Sequence, residues 1–158
     1  MVKDPRQLHN RDSECLGFVV DTREGAAVAK IRVVLADKNL EMVAIIRRTL
    51  GEEFEVVCSV GDGKQAVEAV HTLNPDVLVI DLSMPILNGL EAAKQLQMAN
   101  CRAKVIFLTI YEGQDFLDAA FSAGASGYVA KARLSIDLIA ALHEVMLGNT
   151  FASGSLPK

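Results

Sequence analysis

Five polar residues of this chain stand where they could act together in one reaction, namely Asp37, Lys38, Asp81, Thr109 and Lys131. All five lie at the ends of apolar runs, as in "VVLADK" and "VLVID". Two carboxylates that face each other repel unless a cation, a proton or a chemical step uses them. Mg²⁺ is the usual cation, since it prefers carboxylate oxygens together with water and phosphate oxygens. A hydroxyl and an ammonium on the same rim would suit a phosphoryl group, with Lys131 as counter-charge and Thr109 as hydrogen-bond donor.

These residues can meet only if the segments that carry them form one sheet. Five apolar runs have the length of strands, and three of them barely alternate, which indicates strands of a parallel sheet that are buried on both faces. Helical patterns lie between the runs. The last one is predicted over 135–148, with Ser135 as N-cap and Gly148 as the residue that stops the helix. The predicted strands are 31–36, 54–60, 77–80, 104–109 and 127–130.

Strict alternation of strands and helices predicts the fold class. We expect an α/β fold of the flavodoxin-like, doubly wound kind, with a five-stranded parallel sheet in the order 2-1-3-4-5 and five helices. Ligands in such sheets bind beyond the carboxyl ends of the strands, where the winding reverses, here between strands one and three. Asp37 and Asp81 end those two strands. The topology therefore predicts that both carboxylates reach one crevice, with Thr109 and Lys131 on its rim.

Composition narrows the possible classes of protein. At 158 residues, 51% hydrophobic and 23% charged, the chain fits one globular domain, and a chain of this size buries roughly 70% of its unfolded surface. The net charge of −4 supplies no positive field for a phosphate backbone, so direct nucleic-acid binding by this chain is not expected. No apolar run approaches the ~20 residues of a membrane span. Cys15, Cys58 and Cys101 are widely spaced without a CxxC pair, which favours a reducing, cytoplasmic location.

The predicted domain occupies residues 30–153, between a leader at 1–29 and a tail at 154–158. The leader mixes charges with proline and glycine and shows no sustained period. A start codon assigned too far upstream, or added sequence, would give this composition, and so would an ordered extra strand. Its role stays open.

The order of several motifs resembles the receiver domains of bacterial two-component response regulators, over about Ile31 to Ser153. They are "VLADKN", "VIDLSMPILNGLEA", "VIFLT" and "AGASGYVAK". The last of these, with "GNTFAS", is similar to the subfamily that is usually coupled to a LuxR-type helix-turn-helix output domain. Only eight residues follow Thr150. Since a helix-turn-helix needs several helices, DNA binding is expected only from another segment or a separate partner.

The resemblance implies a role for each site residue. Asp81 would be the phosphoacceptor, phosphorylated by a histidine kinase or phosphotransfer protein, with Lys131 and Thr109 assisting; Thr109 and Tyr128 would form the switch. The domain would not be an enzyme in the usual sense. A homodimer through helix four, strand five and helix five is a further family expectation. The implied Mg²⁺ ligands are Asp37, Asp81 and the backbone carbonyl of Ser83.

Lys38 departs from the family pattern, in which the first strand usually ends in two adjacent acids. One metal ligand is lost and replaced by an ammonium, and a pair of unit charges at 4 Å is worth roughly 4 kcal/mol at an effective dielectric of 20. Mg²⁺ binding should therefore be weak or absent. Two interpretations of Lys38 stay open: its ammonium takes part of the place of the metal by pairing with Asp81 or Asp37, or it is a solvated lysine. Ile110 is also expected to narrow the approach to Asp81.

Three functions from different classes follow. The first is a phosphoacceptor receiver in a phosphorelay, with a weakened Mg²⁺ site. The alternative is an unphosphorylated pseudo-receiver in which Lys38 closes the pocket and the domain binds a partner constitutively. A flavin-binding electron carrier on the same fold is disfavoured, because such proteins stack aromatic residues on the flavin and only 5% of this chain is aromatic.

Overall fold

The computed structural model describes residues 29–153, so the predicted leader, except its last residue, and the predicted tail lie outside the described residues. Strands and helices alternate along this part of the chain. The strands are β1 (Ile31–Ala36), β2 (Phe54–Val60), β3 (Val77–Ile80), β4 (Lys104–Thr109), β5 (Gly127–Ala130) and β6 (Phe151–Ala152). The helices are α1 (Leu40–Leu50), α2 (Gly63–Leu73), α3 (Gly89–Met98), α4 (Gln114–Ser122) and α5 (Leu134–Met146), with short 3₁₀ turns at Gly51–Glu53 and Lys131–Arg133.

The sheet is parallel, with six strands in the order β2-β1-β3-β4-β5-β6. The flavodoxin-like order is the predicted one, and all five predicted strands keep their predicted bounds. The prediction of five strands was one short, because β6 has two residues and too little sequence to show a period. Ser153 holds β6 in place: its N–H donates to the Tyr128 carbonyl at 2.9 Å, and its Oγ accepts from Ala130 N–H at 2.9 Å.

Burial on both faces explains the near-continuous apolar strands. On β1, Val33 and Leu35 pack on the face covered by α1 and α5, whereas Val34 and Ala36 pack on the face covered by α2, α3 and α4. Successive side chains of a strand point to opposite faces, so a strand between two helical layers needs an apolar residue at every position. Full burial of one Leu or Val side chain stabilises a fold by roughly 1.5–3 kcal/mol. This packing fixes the sheet that carries the polar strand ends.

Side-chain caps begin the first three helices directly beyond the carboxyl ends of the strands. The side-chain oxygen of Asn39 accepts from two N–H groups of α1, and Asp62 and Asn88 accept from one N–H each of α2 and α3. Such a cap is worth about 1 kcal/mol, because it satisfies an N–H that has no partner inside the helix. The caps hold the loops at this edge of the sheet in a defined shape.

The start of α5 differs from the prediction. Ser135 was expected as N-cap, but the helix begins at Leu134, and Arg133 occupies the N-cap position without capping a backbone N–H of the helix; its side chain pairs with Asp137 instead. The prediction was wrong because the 3₁₀ turn after β5 winds the chain before Ser135 is reached. The predicted stop is confirmed: α5 ends at Met146, and Gly148 adopts a φ of 92°, a left-handed conformation that glycine accepts readily.

None of the helices between residues 29 and 153 combines the length and the apolar character that crossing a bilayer requires.

Candidate functional site

Three charged side chains from the ends of three strands meet at the carboxyl edge of the sheet. The Nζ of Lys131, after β5, lies 2.9 Å from Asp37 Oδ2 and 3.1 Å from Asp81 Oδ2. Asp37 and Asp81 follow the neighbouring strands β1 and β3, and they are 3% and 5% exposed. The structure therefore brings together the two carboxylates that the strand order predicted, with Lys131 as the ammonium between them.

The loops beyond the strands occupy the remaining carboxylate oxygens. Asp37 Oδ1 accepts from the Asn39 N–H at 2.8 Å, and Asp81 Oδ1 accepts from the Ser83 N–H at 3.2 Å. Together with the two contacts to Lys131, every oxygen of both carboxylates has a donor. Hydrogen bonds and an opposite charge offset the cost of burying two carboxylates side by side.

Lys131 is held in its charged form. Burial by itself lowers the pKa of its ammonium, but the hydrogen bond and charge of Asp37, followed by those of Asp81, outweigh burial and raise the pKa above its usual 10.5. A raised pKa means that the ammonium stays protonated across the physiological range. The site thus contains a permanent cation that the fold itself supplies.

A close approach at Gly89 positions Asp81 from behind. A Cβ on Gly89 would lie 2.3 Å from the backbone carbonyl oxygen of Asp81, a separation that atoms do not adopt without displacement. The Gly89 N–H also donates to the Leu82 carbonyl at 2.9 Å. Only glycine lets the first turn of α3 pack directly on the backbone that carries the Asp81 carboxylate.

Lys38 has a partner that neither interpretation anticipated. Its Nζ donates to the backbone carbonyl of Ser83 at 2.8 Å, and no carboxylate of the described residues forms an ion pair with it. The interpretation in which Lys38 pairs with Asp81 or Asp37 is therefore wrong: the ammonium that contacts both carboxylates is that of Lys131. Lys38 is exposed but anchored, and it occupies the carbonyl that was predicted to bind the metal.

The predicted switch residues meet at a third residue, Tyr111. Thr109 ends β4 fully buried, and its Oγ1 accepts from the Tyr111 N–H at 3.2 Å. Tyr128 is also fully buried; its hydroxyl donates to the Tyr111 carbonyl at 2.8 Å, and its ring packs on Phe107 with centroids 6.5 Å apart. Sequence reasoning missed Tyr111, since an exposed aromatic residue in a loop belongs to no period.

Tyr128 is a neutral hydrogen-bond donor. Burial, the charge of Glu112 and the charge of Asp81 together raise the pKa of its hydroxyl to about 12. An uncharged phenol keeps its proton and can donate a hydrogen bond to the Tyr111 carbonyl at any physiological pH.

The residues that were predicted to bind Mg²⁺ fit the ion poorly. Asp37, Asp81 and the Ser83 carbonyl do lie together, but each of these oxygens already has a donor, and the donor on Ser83 is a cation. In residues 29–153, no group of three or more His, Cys, Asp and Glu side chains is placed to hold a metal ion. Mg²⁺ needs near-octahedral oxygen ligands and dehydrates reluctantly, so it would have to displace an ammonium that the chain itself holds in place.

Large apolar side chains are exposed around the crevice. They stand at helix starts and in loops at the carboxyl edge of the sheet, the edge at which Asp81 lies. Ile110 is one of them, and the narrowing of the approach to Asp81 by its side chain stays a prediction. The others are Leu40, Ile86 and Ile136.

Comparison with known proteins decides the family. A family profile, the response regulator receiver domain, matches residues 33–143, well over half of the chain. The chain belongs to the response regulator receiver family. The chemotaxis protein CheY of Halobacterium salinarum is 30% identical over 115 residues, which cover 73% of this chain and 96% of that protein. The receiver resemblance of the sequence motifs is thereby confirmed.

Longer relatives and solved structures agree with the LuxR-type likeness. The transcriptional regulatory protein DegU of Brevibacillus brevis is 36% identical over 77% of this chain and 52% of its own length. A LuxR-family two-component response regulator from Aurantimonas sp. SI85-9A1 is 28% identical with a TM-score of 0.77, covering 81% of this chain and 93% of that one. The chain thus spans about half the length of curated relatives such as DegU and the nitrate/nitrite response regulator NarL of Escherichia coli.

Receiver domains are signalling modules rather than enzymes in the usual sense.

Proposed function

We propose that this receiver domain accepts a phosphoryl group on Asp81 from the phosphohistidine of a kinase or phosphotransfer protein. The observation that carries the proposal is the buried Asp81 carboxylate, joined through Lys131 to Asp37 at the carboxyl edge of the sheet. The N–P bond of the phosphohistidine breaks, an Asp81 oxygen forms the new O–P bond, and the leaving imidazole nitrogen takes a proton from solvent. Positioning and charge stabilisation supply most of the catalysis in phosphoryl transfer, and this cluster provides both.

The groups around Asp81 have separate roles in this proposal. Lys131 stabilises charge on the phosphoryl oxygens, since its ammonium already contacts the carboxylate that receives them. Thr109 accepts one hydrogen bond from Tyr111 and keeps its own O–H for a phosphoryl oxygen. A movement of Thr109 would be transmitted to Tyr128 through Tyr111, whose N–H donates to Thr109 and whose carbonyl accepts from Tyr128. The output face would be α4, β5 and α5. We expect Mg²⁺ to bind weakly or not at all, because Lys38 holds the Ser83 carbonyl.

The partner that we propose is a histidine kinase or a phosphotransfer protein in the cytoplasm. The exposed apolar side chains around the crevice give such a partner a surface beside the acceptor. Dimerisation through α4, β5 and α5 stays a prediction. Structures of the longer regulator RcsB include dimers bound to DNA; for this chain we propose that DNA recognition belongs to a separate segment or partner.

Intact-mass measurement after incubation with phosphoramidate and Mg²⁺ tests the acceptor. The protein should gain one phosphoryl group, Asp81→Asn should gain none, and the matched control Asp115→Asn, an exposed residue of α4, should behave as wild type. Gain by Asp81→Asn would place the acceptor elsewhere. No gain by the wild type from phosphoramidate or from a cognate kinase would end the proposal.

A second candidate function, the constitutive pseudo-receiver, is favoured by the state of the switch. The Tyr128 hydroxyl is buried and bonded to the Tyr111 carbonyl, and Lys38 holds the Ser83 carbonyl that was predicted to bind the metal. Beryllofluoride tests this alternative, since an isolated receiver domain of RcsB from Salmonella enterica serovar Typhimurium has been solved in the presence of this phosphate mimic. Amide spectra that do not change on its addition would support the pseudo-receiver, and shifts near Thr109 and Tyr128 would favour the phosphoacceptor.

A further inference from the structure

We propose that Lys38 is a tethered cation that replaces the divalent metal, so that Asp81 is phosphorylated without Mg²⁺. The inference rests on the proposed function, since it concerns how Asp81 receives its phosphoryl group. Lys38 makes the site fit Mg²⁺ poorly, and we infer that the same side chain performs the task of the metal.

The charges of the crevice balance without a metal ion. Asp37 and Asp81 contribute two negative charges, and Lys131 and Lys38 contribute two positive charges. The cluster is neutral before any ion enters. A divalent cation would leave it with an excess of two positive charges beside two ammonium groups, and such like-charge contacts are unfavourable in a partly buried site.

The ammonium of Lys38 is held close to the acceptor. Lys38 Nζ lies 2.8 Å from the carbonyl oxygen of Ser83, and the N–H of the same serine donates to Asp81 Oδ1 at 3.2 Å. One residue thus links the additional cation to the acceptor carboxylate. An ion that assists phosphoryl transfer has to lie near the acceptor, and Ser83, which binds both Lys38 and Asp81, keeps the ammonium in that part of the crevice.

Lys38 also keeps hydrogen-bonding capacity for an incoming group. An ammonium has three N–H donors, and the Ser83 carbonyl is the one acceptor that the described residues offer to Lys38. Two donors are left for phosphoryl oxygens. Lys38 is exposed on a four-carbon stem, so it can keep Ser83 and contact an entering group. Lys131 has less freedom to move, because its ammonium is held between two carboxylates.

The role of Lys38 in the step is therefore specific. While the N–P bond of the donor breaks and the O–P bond to Asp81 forms, the ammonium groups of Lys38 and Lys131 stabilise charge on the phosphoryl oxygens from two sides. The leaving nitrogen takes its proton from solvent. No metal ion, oxidant or further reactant is needed.

Phosphorylation rates in the presence and absence of Mg²⁺ test the inference. We expect the wild-type protein to take up a phosphoryl group from phosphoramidate in EDTA at a rate within threefold of that in Mg²⁺, measured by intact mass. Lys38→Met should lose the metal-free reaction at least tenfold, Lys38→Arg should recover part of it, and Lys94→Met, an exposed lysine of α3, should not change it. Lys38→Asp should react slowly in EDTA and at least tenfold faster in Mg²⁺.

A calorimetric titration with Mg²⁺ alone gives a readout that does not depend on turnover. Lys38→Asp should bind Mg²⁺ at least tenfold more tightly than the wild type, and circular dichroism should show that each variant is folded. Wild-type phosphorylation only in Mg²⁺, or equal Mg²⁺ affinity of wild type and Lys38→Asp, would overturn the inference and leave the acceptor role of Asp81 intact. No wild-type phosphorylation in either buffer, whether from phosphoramidate or from a cognate kinase, would overturn both.

Discussion

Strands β1 and β5 each deliver a lysine to the same crevice, and the two lysines have opposite surroundings. Lys131 has a side chain that is 12% exposed and contacts two carboxylates. Lys38 is exposed and contacts one backbone carbonyl. Identical side chains on one rim are therefore held by different forces: ion pairing in a poorly hydrated pocket for Lys131, and a single charge-assisted hydrogen bond in water for Lys38.

The difference separates a structural cation from an adaptable one. Withdrawing Lys131 would leave Asp37 and Asp81 side by side without the ammonium that contacts both, and removing one partner of a buried ion pair is costly. Withdrawing Lys38 leaves one carbonyl that water can reach. Lys131 therefore stabilises the fold, whereas Lys38 can move to contact an incoming group. Stability measurements on variants of each lysine distinguish the two roles.

Lys131→Met is the change with the largest expected effect. It should lower the free energy of unfolding by about 3 kcal/mol at pH 7, because it strands two buried carboxylates, as measured by urea denaturation. Lys94→Met serves as the control. A loss below about 1 kcal/mol for Lys131→Met would mean that the pocket is far better hydrated than its burial indicates.

The stability of the protein at alkaline pH tests the contribution of Lys131. Folding raises the pKa of Lys131 above 10.5 and that of Tyr128 from 10.0 to about 12. For both groups the folded state binds the proton more tightly, so their contribution is complete below pH 10 and is lost as pH rises through the folded pKa. Ionisation of Tyr128 alone should lower the free energy of unfolding by about 2 kcal/mol between pH 10 and 12, after allowance for solvent screening.

Tyr128→Phe divides that alkaline loss into its sources. The variant should be about 1 kcal/mol less stable at pH 7, since the Tyr111 carbonyl loses its donor, and its stability curve should fall less steeply above pH 10. The fall that remains includes the contribution of Lys131. Equal slopes for wild type and Tyr128→Phe would show that the hydroxyl is not protected by burial.

Lys38→Met has the smallest expected effect on stability. The change should alter the free energy of unfolding by less than about 0.5 kcal/mol, because hydrogen bonds and charges at an exposed position contribute little. Thermal or urea unfolding of this variant beside Lys131→Met measures the contrast directly. A loss as large as that of Lys131→Met would contradict the description of Lys38 as an adaptable side chain.

Topology explains why much of the site could be predicted from the sequence. Near-continuous apolar runs indicated a parallel sheet, and the order of a doubly wound sheet makes β1 and β3 neighbours. The ends of these neighbouring strands place Asp37 and Asp81 close together, whatever conformation the loops adopt. Lys131 ends a strand on the same edge, and its long side chain spans the remaining distance.

The features that escaped prediction depend on side-chain conformation or on very short segments. Lys38 was expected to pair with a carboxylate or to be solvated; a flexible lysine can reach several partners, and the sequence does not show that Lys131 has taken the carboxylates. Tyr111 joins the two switch residues through its backbone, which carries no sequence signal. Strand β6 is held by Ser153, whose side chain replaces the hydrogen bonds that a longer strand would provide.

Strand β6 also affects which contacts other proteins can make. An exposed sheet edge is a template on which foreign strands can add and aggregates can grow. By pairing with Gly127 and Tyr128, β6 closes the β5 end of the sheet to such additions. At the opposite end, β2 carries the exposed charge of Glu55, which discourages strand addition there. Over the described residues, both edges of the sheet therefore carry a feature that disfavours the addition of a further strand.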